Sequence, residues 1–166
     1  LTNPLLAQQQ NVLSFSNAYT NKLYTAVSLP QMLSNQSIYD SIEQLPNYTI
    51  TDVLKAAQVN TRWIGNQTPE KGYTYFIDNC NQKTFIDPLH SIYSFNKTSD
   101  TELLNYINDN SNIKENNFSI FHMIGSHWYY ENRYTEKFKK FTPTIKSKYI
   151  PSNTKEEMIN SYDNTI

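Results

Sequence analysis

The longest mostly apolar segment of the chain covers residues 118–125, Phe-Ser-Ile-Phe-His-Met-Ile-Gly, and follows polar Asn116 and Asn117. A nearly continuous apolar run of this length predicts a strand buried on both faces, as in a parallel sheet. Gly125 suits a tight exit from the strand, because glycine adopts backbone conformations that other residues avoid. His127 would then lie just beyond the carboxyl end of a parallel strand, where open α/β sheets bind ligands.

Spacing alone does not assign a function to the histidines of this segment. From the pattern by itself, the favoured interpretation is that His122 and His127 are ordinary packed or surface residues. His90, the third histidine of the chain, is expected to be a surface residue or one with its hydrogen bonds satisfied.

The amino-terminal part predicts a short strand at residues 12–15, where apolar side chains alternate. Residues 17–34 then predict a polar loop, a turn of small residues and a short helix, with Thr25 near the start of the helix. Free backbone N–H groups at a helix start favour an anion and would help a hydroxyl there to act on phosphate. The simpler interpretation is that Thr25 caps the helix.

The middle of the chain predicts a helix over residues 52–57, which Thr51 can cap, with Asp52 in its first turn. Residues 59–64 predict a strand, and residues 66–72 predict a loop that leaves the carboxyl end of that strand. A lysine on such a loop, Lys71, is a plausible point-charge clamp for phosphate. Without further information, a solvated loop lysine is the simpler interpretation.

Two capping boxes are predicted in the second half of the chain, at residues 99–102 and 154–157. The helices that follow them carry apolar faces formed by Leu103, Leu104 and Ile107 in the first case and by Met158, Ile159 and Tyr162 in the second. Strands that alternate with helices in this way predict an α/β fold with βαβ crossovers.

Composition and charge exclude several classes of function. The 166 residues carry a formal net charge of -1, so no basic field indicates nucleic-acid binding. No run approaches the roughly 18 apolar residues of a membrane-spanning helix. Cys80 is the only cysteine, which rules out an internal disulfide. The chain begins with Leu1 and not with methionine, so we expect a piece of a longer protein.

Five blocks of sequence, in order along the chain, resemble the phosphoethanolamine transferases, the family of the lipid A modifying and colistin-resistance enzymes. The blocks are Thr2-Asn3-Pro4, then Thr25-Ala26-Val27-Ser28-Leu29-Pro30, then Trp63 with Asn66 and Lys71-Gly72, then His122-Met123-Ile124-Gly125-Ser126-His127 with Phe141-Thr142-Pro143, and finally Asn160-Ser161-Tyr162-Asp163-Asn164. The resemblance implies an α/β fold of the alkaline-phosphatase type, with a mixed or parallel sheet flanked by helices.

The resemblance also implies roles for individual residues. Thr25 matches the catalytic threonine of the family, which acts as nucleophile and as a zinc ligand. Thr68 and Lys71 match the residues that bind the phosphate side of the substrate. His127 matches a histidine that contacts the phosphate group or an additional zinc ion, whereas His122 is expected to be structural.

Two departures from the family pattern concern the handling of substrate. Many family members carry a disulfide that brackets the nucleophile segment, but the matching positions here are Asn21 and Gln31. A second family threonine, two residues before the nucleophile, is replaced by Leu23.

The family's catalytic domain is about twice as long as this chain, so we expect residues 1–166 to be a single incomplete piece of it. The resemblance implies that a membrane region, a glutamate-bearing metal-ligand segment and an Asp-His segment lie outside the chain. Thr25 would then be the only primary zinc ligand present, and zinc takes about four ligands. We therefore expect this piece alone to be inactive and without zinc at the primary site.

By resemblance, the parent protein transfers phosphoethanolamine from a phospholipid to lipid A or another envelope glycan through a covalent threonine intermediate. The donor would be phosphatidylethanolamine, and the catalytic domain would lie in the periplasm, attached to the bacterial inner membrane by a region absent here. Sheet edges exposed by an incomplete domain favour self-association.

Two other classes of function are alternatives to a phosphoethanolamine transferase. The first is a sulfatase-like hydrolase of phosphate or sulfate esters. A sulfatase nucleophile segment reads Cys/Ser-x-Pro-x-Arg, which Thr25-Ala26-Val27 does not fit. The second is a non-catalytic envelope binding module, which would account for Leu23 and for the aromatic residues 128–134, predicted to form a lid or rim.

Overall fold

The computed structural model describes residues 8–12, 15, 17–20, 22–37, 39, 48–86, 98–110 and 116–166. In chain order the helices and strands are α1 (Thr25–Met32), α2 (Ile50–Ala56), β1 (Asn60–Gly65), α3 (Thr74–Asp78), β2 (Gln82–Phe85), α4 (Thr101–Asp109), β3 (Asn117–His122) and α5 (Lys155–Asp163). Short 3-10 helices lie at Tyr130–Asn132, Glu136–Phe138 and Ile150–Ser152.

The described strands form one parallel sheet with the order β2-β1-β3. Gly65 at the end of β1 pairs with Phe85 of β2 on one side and with His122 of β3 on the other. The carboxyl ends of all three strands therefore meet at one edge of the sheet. This confirms the predicted α/β class and the predicted parallel strand that ends before Gly125, whose φ of 58° favours glycine.

The prediction that β3 is buried on both faces is wrong. Phe118 and Phe121 are each 37% exposed, while Ile120 packs against the core. Among the described strands β3 pairs with β1 alone and stands at the end of the order β2-β1-β3, with the core on one of its faces. A continuous apolar run does not distinguish this arrangement from a central strand.

The core lies on the face of the sheet that Trp63 occupies. Trp63, Tyr73 and Phe76 are fully buried there, together with Ile77 and Cys80. Helix α1 packs against this cluster through Ala26 and Leu29, and its C-cap residue Leu33 does so too. The same cluster therefore holds α1 and the segment after β1 together.

Two predicted helix caps differ from the observed ones. Thr49, and not Thr51, caps α2: its hydroxyl accepts a hydrogen bond from the Asp52 amide, and the Asp52 carboxylate accepts one from the Thr49 amide. Thr51 is fully buried inside the first turn. The box at residues 99–102 does not form, because the Ser99 hydroxyl accepts from the Thr101 amide at 3.2 Å and the Glu102 carboxylate accepts from the Asn105 side chain at 3.1 Å. The N-cap residue is Asp100, whose side chain bonds to residues outside α4.

The chain divides into two compact units, residues 21–124 and residues 1–20 with 125–166. The first contains the sheet and helices α1 to α4. In the second, the capping box of α5 is confirmed: Thr154 accepts from the Glu157 amide, and Glu157 accepts from the Thr154 amide. Hydrogen bonds from the Thr154 backbone and side chain lower the pKa of the Glu157 carboxyl.

The buried face of α5 is polar, contrary to the predicted apolar face. Glu157, Ser161 and Asn164 are buried, whereas Ile159 and Tyr162 are 48% and 42% exposed. Asn164 accepts from the amides of Lys140 and Phe141 at 2.8 and 2.9 Å and donates to the Phe141 carbonyl at 2.9 Å. These side chains face a segment with little regular structure, whose backbone groups need partners.

Some predictions concern residues outside the described ranges. The strand predicted at residues 12–15 is only partly described, and His90 and the block at residues 2–4 lie outside. Among the helices that the structure describes, none has the length and apolar character needed to cross a membrane.

Replacing Asn164 by alanine should lower the free energy of unfolding by about 2–3 kcal/mol, because the buried carboxamide serves three backbone groups. Urea unfolding of the purified chain, followed by circular dichroism, measures this change. Asp163→Ala is the control, since the Asp163 side chain is exposed and its loss should change stability by less than about 0.5 kcal/mol. Equal effects of the two substitutions would contradict the role given to Asn164.

Candidate active site at the amino end of helix α1

Thr25 is the first residue of α1, and its side chain is half-buried. The N-cap residue is Tyr24, which is extended and makes no side-chain hydrogen bond to the helix. The interpretation of Thr25 as a cap is therefore wrong. No acidic residue lies in the first turn, so the positive end of the helix dipole remains available to an anion at Thr25.

The loop at residues 66–72 leaves the carboxyl end of β1, as predicted. It begins with the buried residues Asn66 and Gln67, which are 0% and 4% exposed. Thr68 is half-buried and Lys71 is exposed. The loop thus has a fixed start and carries an ammonium group that solvent and ligands can reach.

The end of this loop packs directly against α1. A Cβ atom built on Gly72 would lie 2.3 Å from the carbonyl oxygen of Ala26 and 2.8 Å from the Ala26 Cβ. Only glycine allows so close an approach. Since Thr25 precedes Ala26 and Lys71 precedes Gly72, the contact brings two predicted site segments side by side.

Pro30 explains why the Ala26 carbonyl can take part in this contact. In an α-helix the carbonyl of residue 26 would accept a hydrogen bond from the amide of residue 30. Pro30 lies inside α1 and has no amide hydrogen. The Ala26 carbonyl is therefore left without that helical bond and faces the Gly72 backbone.

His122 lies at the end of β3 in the same unit as Thr25. Its ring packs edge-on against Trp63 and Tyr73, with centroid distances of 5.2 Å in both cases. Its Nε2 atom lies 2.7 Å from the amide nitrogen of Gln67. The half-buried ring is held on several sides, which agrees with the structural role expected from the sequence.

His127 belongs to the other compact unit, so its position relative to Thr25 and Lys71 stays a prediction. Within its own unit, the His127 carbonyl accepts a hydrogen bond from Arg133 Nε at 3.1 Å. The predicted lid or rim at residues 128–134 is half-buried, with Tyr130 edge-on against Tyr162 of α5 at 5.5 Å.

Burial keeps the Tyr73 hydroxyl and the Cys80 thiol of the first unit neutral. Burial raises the pKa of the Tyr73 hydroxyl to about 12. Burial also raises the pKa of the Cys80 thiol, whose Sγ atom lies 3.3 Å from the Phe76 carbonyl. Cys80 is therefore a packed thiol and not an activated nucleophile.

The described residues do not supply a complete metal site. Among them, no group of three or more histidine, cysteine, aspartate and glutamate side chains could hold an ion. The hydroxyl of Thr25 is a single oxygen ligand, whereas zinc takes about four ligands.

Sequence reasoning missed the polar residues that fix the loop. Asn66 donates to the Asp100 carboxylate at 2.8 Å, and the same carboxylate oxygen accepts from the Ile124 amide at 2.9 Å. Gln67 donates to the Met123 carbonyl at 3.0 Å. The sequence signal for this role was the pair of amide residues Asn66 and Gln67 directly after the predicted strand. The carboxyl ends of β1 and β3 meet at this place.

Comparisons with known proteins point to one protein family. The sulfatase family model matches residues 1–166. Phosphoethanolamine transferase EptA of Escherichia coli (strain K12) is 34% identical over 170 residues, which cover 99% of this chain and 30% of EptA. The chain therefore spans about a third of the length of this relative.

Solved structures agree with the observed fold. The C-terminal periplasmic domain of phosphoethanolamine transferase EptC from Campylobacter jejuni has a TM-score of 0.68 and 29% identity, covering 86% of this chain and 43% of that one. The corresponding Escherichia coli EptC domain, solved as a complex with zinc, has a TM-score of 0.64 and covers 86% of this chain and 41% of that one. At 22% identity the second likeness shows the fold alone.

Gly72→Ala should lower the free energy of unfolding by about 1–3 kcal/mol, because the new methyl group collides with the Ala26 carbonyl. Gly65→Ala is the matched control and should cost less, since the atoms nearest to its Cβ would be side-chain atoms of Phe85 and Trp63 at 3.2 to 3.3 Å and not a backbone carbonyl. Thermal unfolding of both variants measures the difference. A Gly72→Ala protein as stable as the unmodified chain would show that α1 and the loop are not in contact.

Proposed function

The chain belongs to the sulfatase family, and from this premise we propose that it is part of the periplasmic catalytic domain of a phosphoethanolamine transferase. The observation that carries the proposal is the contact of Gly72 with Ala26. It sets the loop that bears Lys71 beside the start of α1, where Thr25 lies. A hydroxyl and an ammonium group beside a helix start are suited to a phosphate diester.

In the proposed reaction Thr25 is the nucleophile. Its Oγ1 atom attacks the phosphorus of phosphatidylethanolamine, and the bond from phosphorus to the glycerol oxygen breaks. Diacylglycerol leaves and takes up a proton, and phosphoethanolamine remains bound to Thr25. A hydroxyl or phosphate oxygen of lipid A, or of another envelope glycan, then attacks phosphorus and releases Thr25, which recovers its proton.

The other proposed site residues stabilise charge on the phosphoryl oxygens. Lys71 provides a full positive charge, and Thr68 provides a hydrogen-bond donor on the same loop. The N-terminal end of α1 adds a favourable dipole at Thr25. His127 is proposed to contact the phosphate group or a second zinc ion.

Zinc enters the proposal through the family resemblance, and the zinc complex of the Escherichia coli EptC domain is in keeping with it. Thr25 alone does not fit a zinc site, because zinc takes about four ligands. We propose that the remaining primary ligands belong to parts of the parent protein outside this chain, and that the chain alone is inactive.

The proposed setting is the bacterial inner membrane, with the catalytic domain in the periplasm. The partners are then the phospholipid donor and the glycolipid acceptor, both of which are membrane components. The EptC relative supports this placement, because the matching region is a C-terminal periplasmic domain. Self-association through the exposed edges of the sheet remains part of the proposal.

In the parent protein, Thr25→Ala should reduce transfer by at least about a thousand-fold, since the covalent intermediate cannot form. Thr101→Ala is the matched control, because Thr101 is also the first residue of a helix and its side chain is exposed. Mass spectrometry of lipid A from cells that produce each variant measures transfer.

Mass spectrometry of the purified parent after incubation with the donor separates the proposal from its alternatives. Phosphoethanolamine attached to Thr25 supports the transferase. A parent that releases free phosphate or sulfate and never labels Thr25 is a hydrolase. Unchanged lipid A modification by Thr25→Ala would refute the assigned nucleophile.

Zinc titrated into the 166-residue chain should give no tight binding at Thr25, because one hydroxyl cannot replace about four ligands. Isothermal titration calorimetry of the chain and of its Thr25→Ala variant tests this, and the two heat profiles should coincide. Tight binding that Thr25→Ala abolishes would overturn the prediction.

A further inference from the structure

Buried Gln67 and half-buried His122 form a polar pair at the start of the loop that carries Thr68 and Lys71. The side chain of Gln67 is 4% exposed, and its Nε2 atom lies 3.0 Å from the Met123 carbonyl oxygen and 2.7 Å from His122 Nε2. Gln67 is the residue before Thr68, so these contacts act at the start of the loop.

The geometry determines which atom of this pair donates. The amide group of Gln67 has two hydrogens: one points to the Met123 carbonyl, and the other points to His122. His122 Nε2 therefore accepts, and a neutral His122 carries its proton on Nδ1. Turning the Gln67 amide over would set its carbonyl oxygen against that of Met123, which is repulsive.

His122 also reaches the far end of the loop. Its ring lies edge-on to Tyr73, which follows Gly72 directly, with a centroid distance of 5.2 Å. Trp63, in the strand that leads into the loop, contacts the ring at the same distance. One imidazole thus contacts residues on both sides of the segment that includes Lys71.

We propose that His122 is a positioning residue for the loop at residues 66–72, acting through Gln67 and Tyr73. By fixing the amide of Gln67 and the ring of Tyr73, it sets where Thr68 and Lys71 meet the phosphate group. The inference rests on the proposed function of that loop. It assigns His122 no contact with the substrate.

A double-mutant cycle with Lys71 in the full-length parent tests this role. His122→Leu removes the acceptor for Gln67 and should reduce kcat/KM about ten-fold, the equivalent of about 1.4 kcal/mol, mainly through a higher KM for the donor. In the Lys71→Ala background the same substitution should cost clearly less, about three-fold or less, because one of the two residues that His122 positions is gone.

His122→Gln provides a rescue, since its side-chain oxygen can accept from Gln67 near the place of Nε2, and it should recover most of the lost kcat/KM. Phe121→Leu is the control on the same strand, because Phe121 is partly exposed and belongs to no part of the proposed site. If His122→Leu fails to fold, Gln67→Met removes the same hydrogen bonds from the other side, and the cycle is run with it.

The outcomes separate this inference from the proposed function. If Lys71→Ala lowers transfer but the loss from His122→Leu is equally large in both backgrounds, or if His122→Gln recovers nothing, His122 does not position the loop. If Lys71→Ala and Thr25→Ala both leave transfer unchanged, the proposed function fails, whatever His122 does.

Discussion

The packing of Gly72 against the Ala26 carbonyl is the constraint on which the candidate site depends. Two features of the covalent structure meet here: residue 72 has no Cβ atom, and Pro30 has no amide hydrogen. The first allows the backbones to meet, and the second leaves the carbonyl without its helical donor. The start of α1 can therefore pack against the loop that follows β1.

The start of the loop is fixed by a different kind of interaction. Asn66 and Gln67 are buried polar residues whose partners lie across the sheet edge, on Asp100, His122 and the strand exit at Met123. A buried polar group without a partner is costly, so a network of this kind favours one arrangement of the loop. Lys71, between the two fixed ends, remains exposed.

Polar side chains connect distant segments in the second unit as well. Ser161 accepts from the Ile145 amide at 2.9 Å and donates to Glu131 at 3.0 Å, and Asn164 bonds the backbone of residues 140 and 141. Helix α5 therefore organises a segment of little regular structure by hydrogen bonds from its buried face. Apolar side chains such as Ile159 remain on its exposed face.

Local pattern and family motifs were enough to predict the α/β class, β1 with its loop, the helix at Thr25, the Thr154 capping box and the family. The packing in three dimensions showed that Thr49, and not Thr51, caps α2, that Asp100 bonds to Asn66 and Ile124, and that Phe118 and Phe121 are partly exposed. It also revealed the approach of Gly72 to Ala26 and the pairing of Gln67 with His122. The reason is physical: local patterns reflect backbone periodicity, whereas these contacts join residues about 20 to 60 positions apart, whose meeting depends on how strands and helices pack.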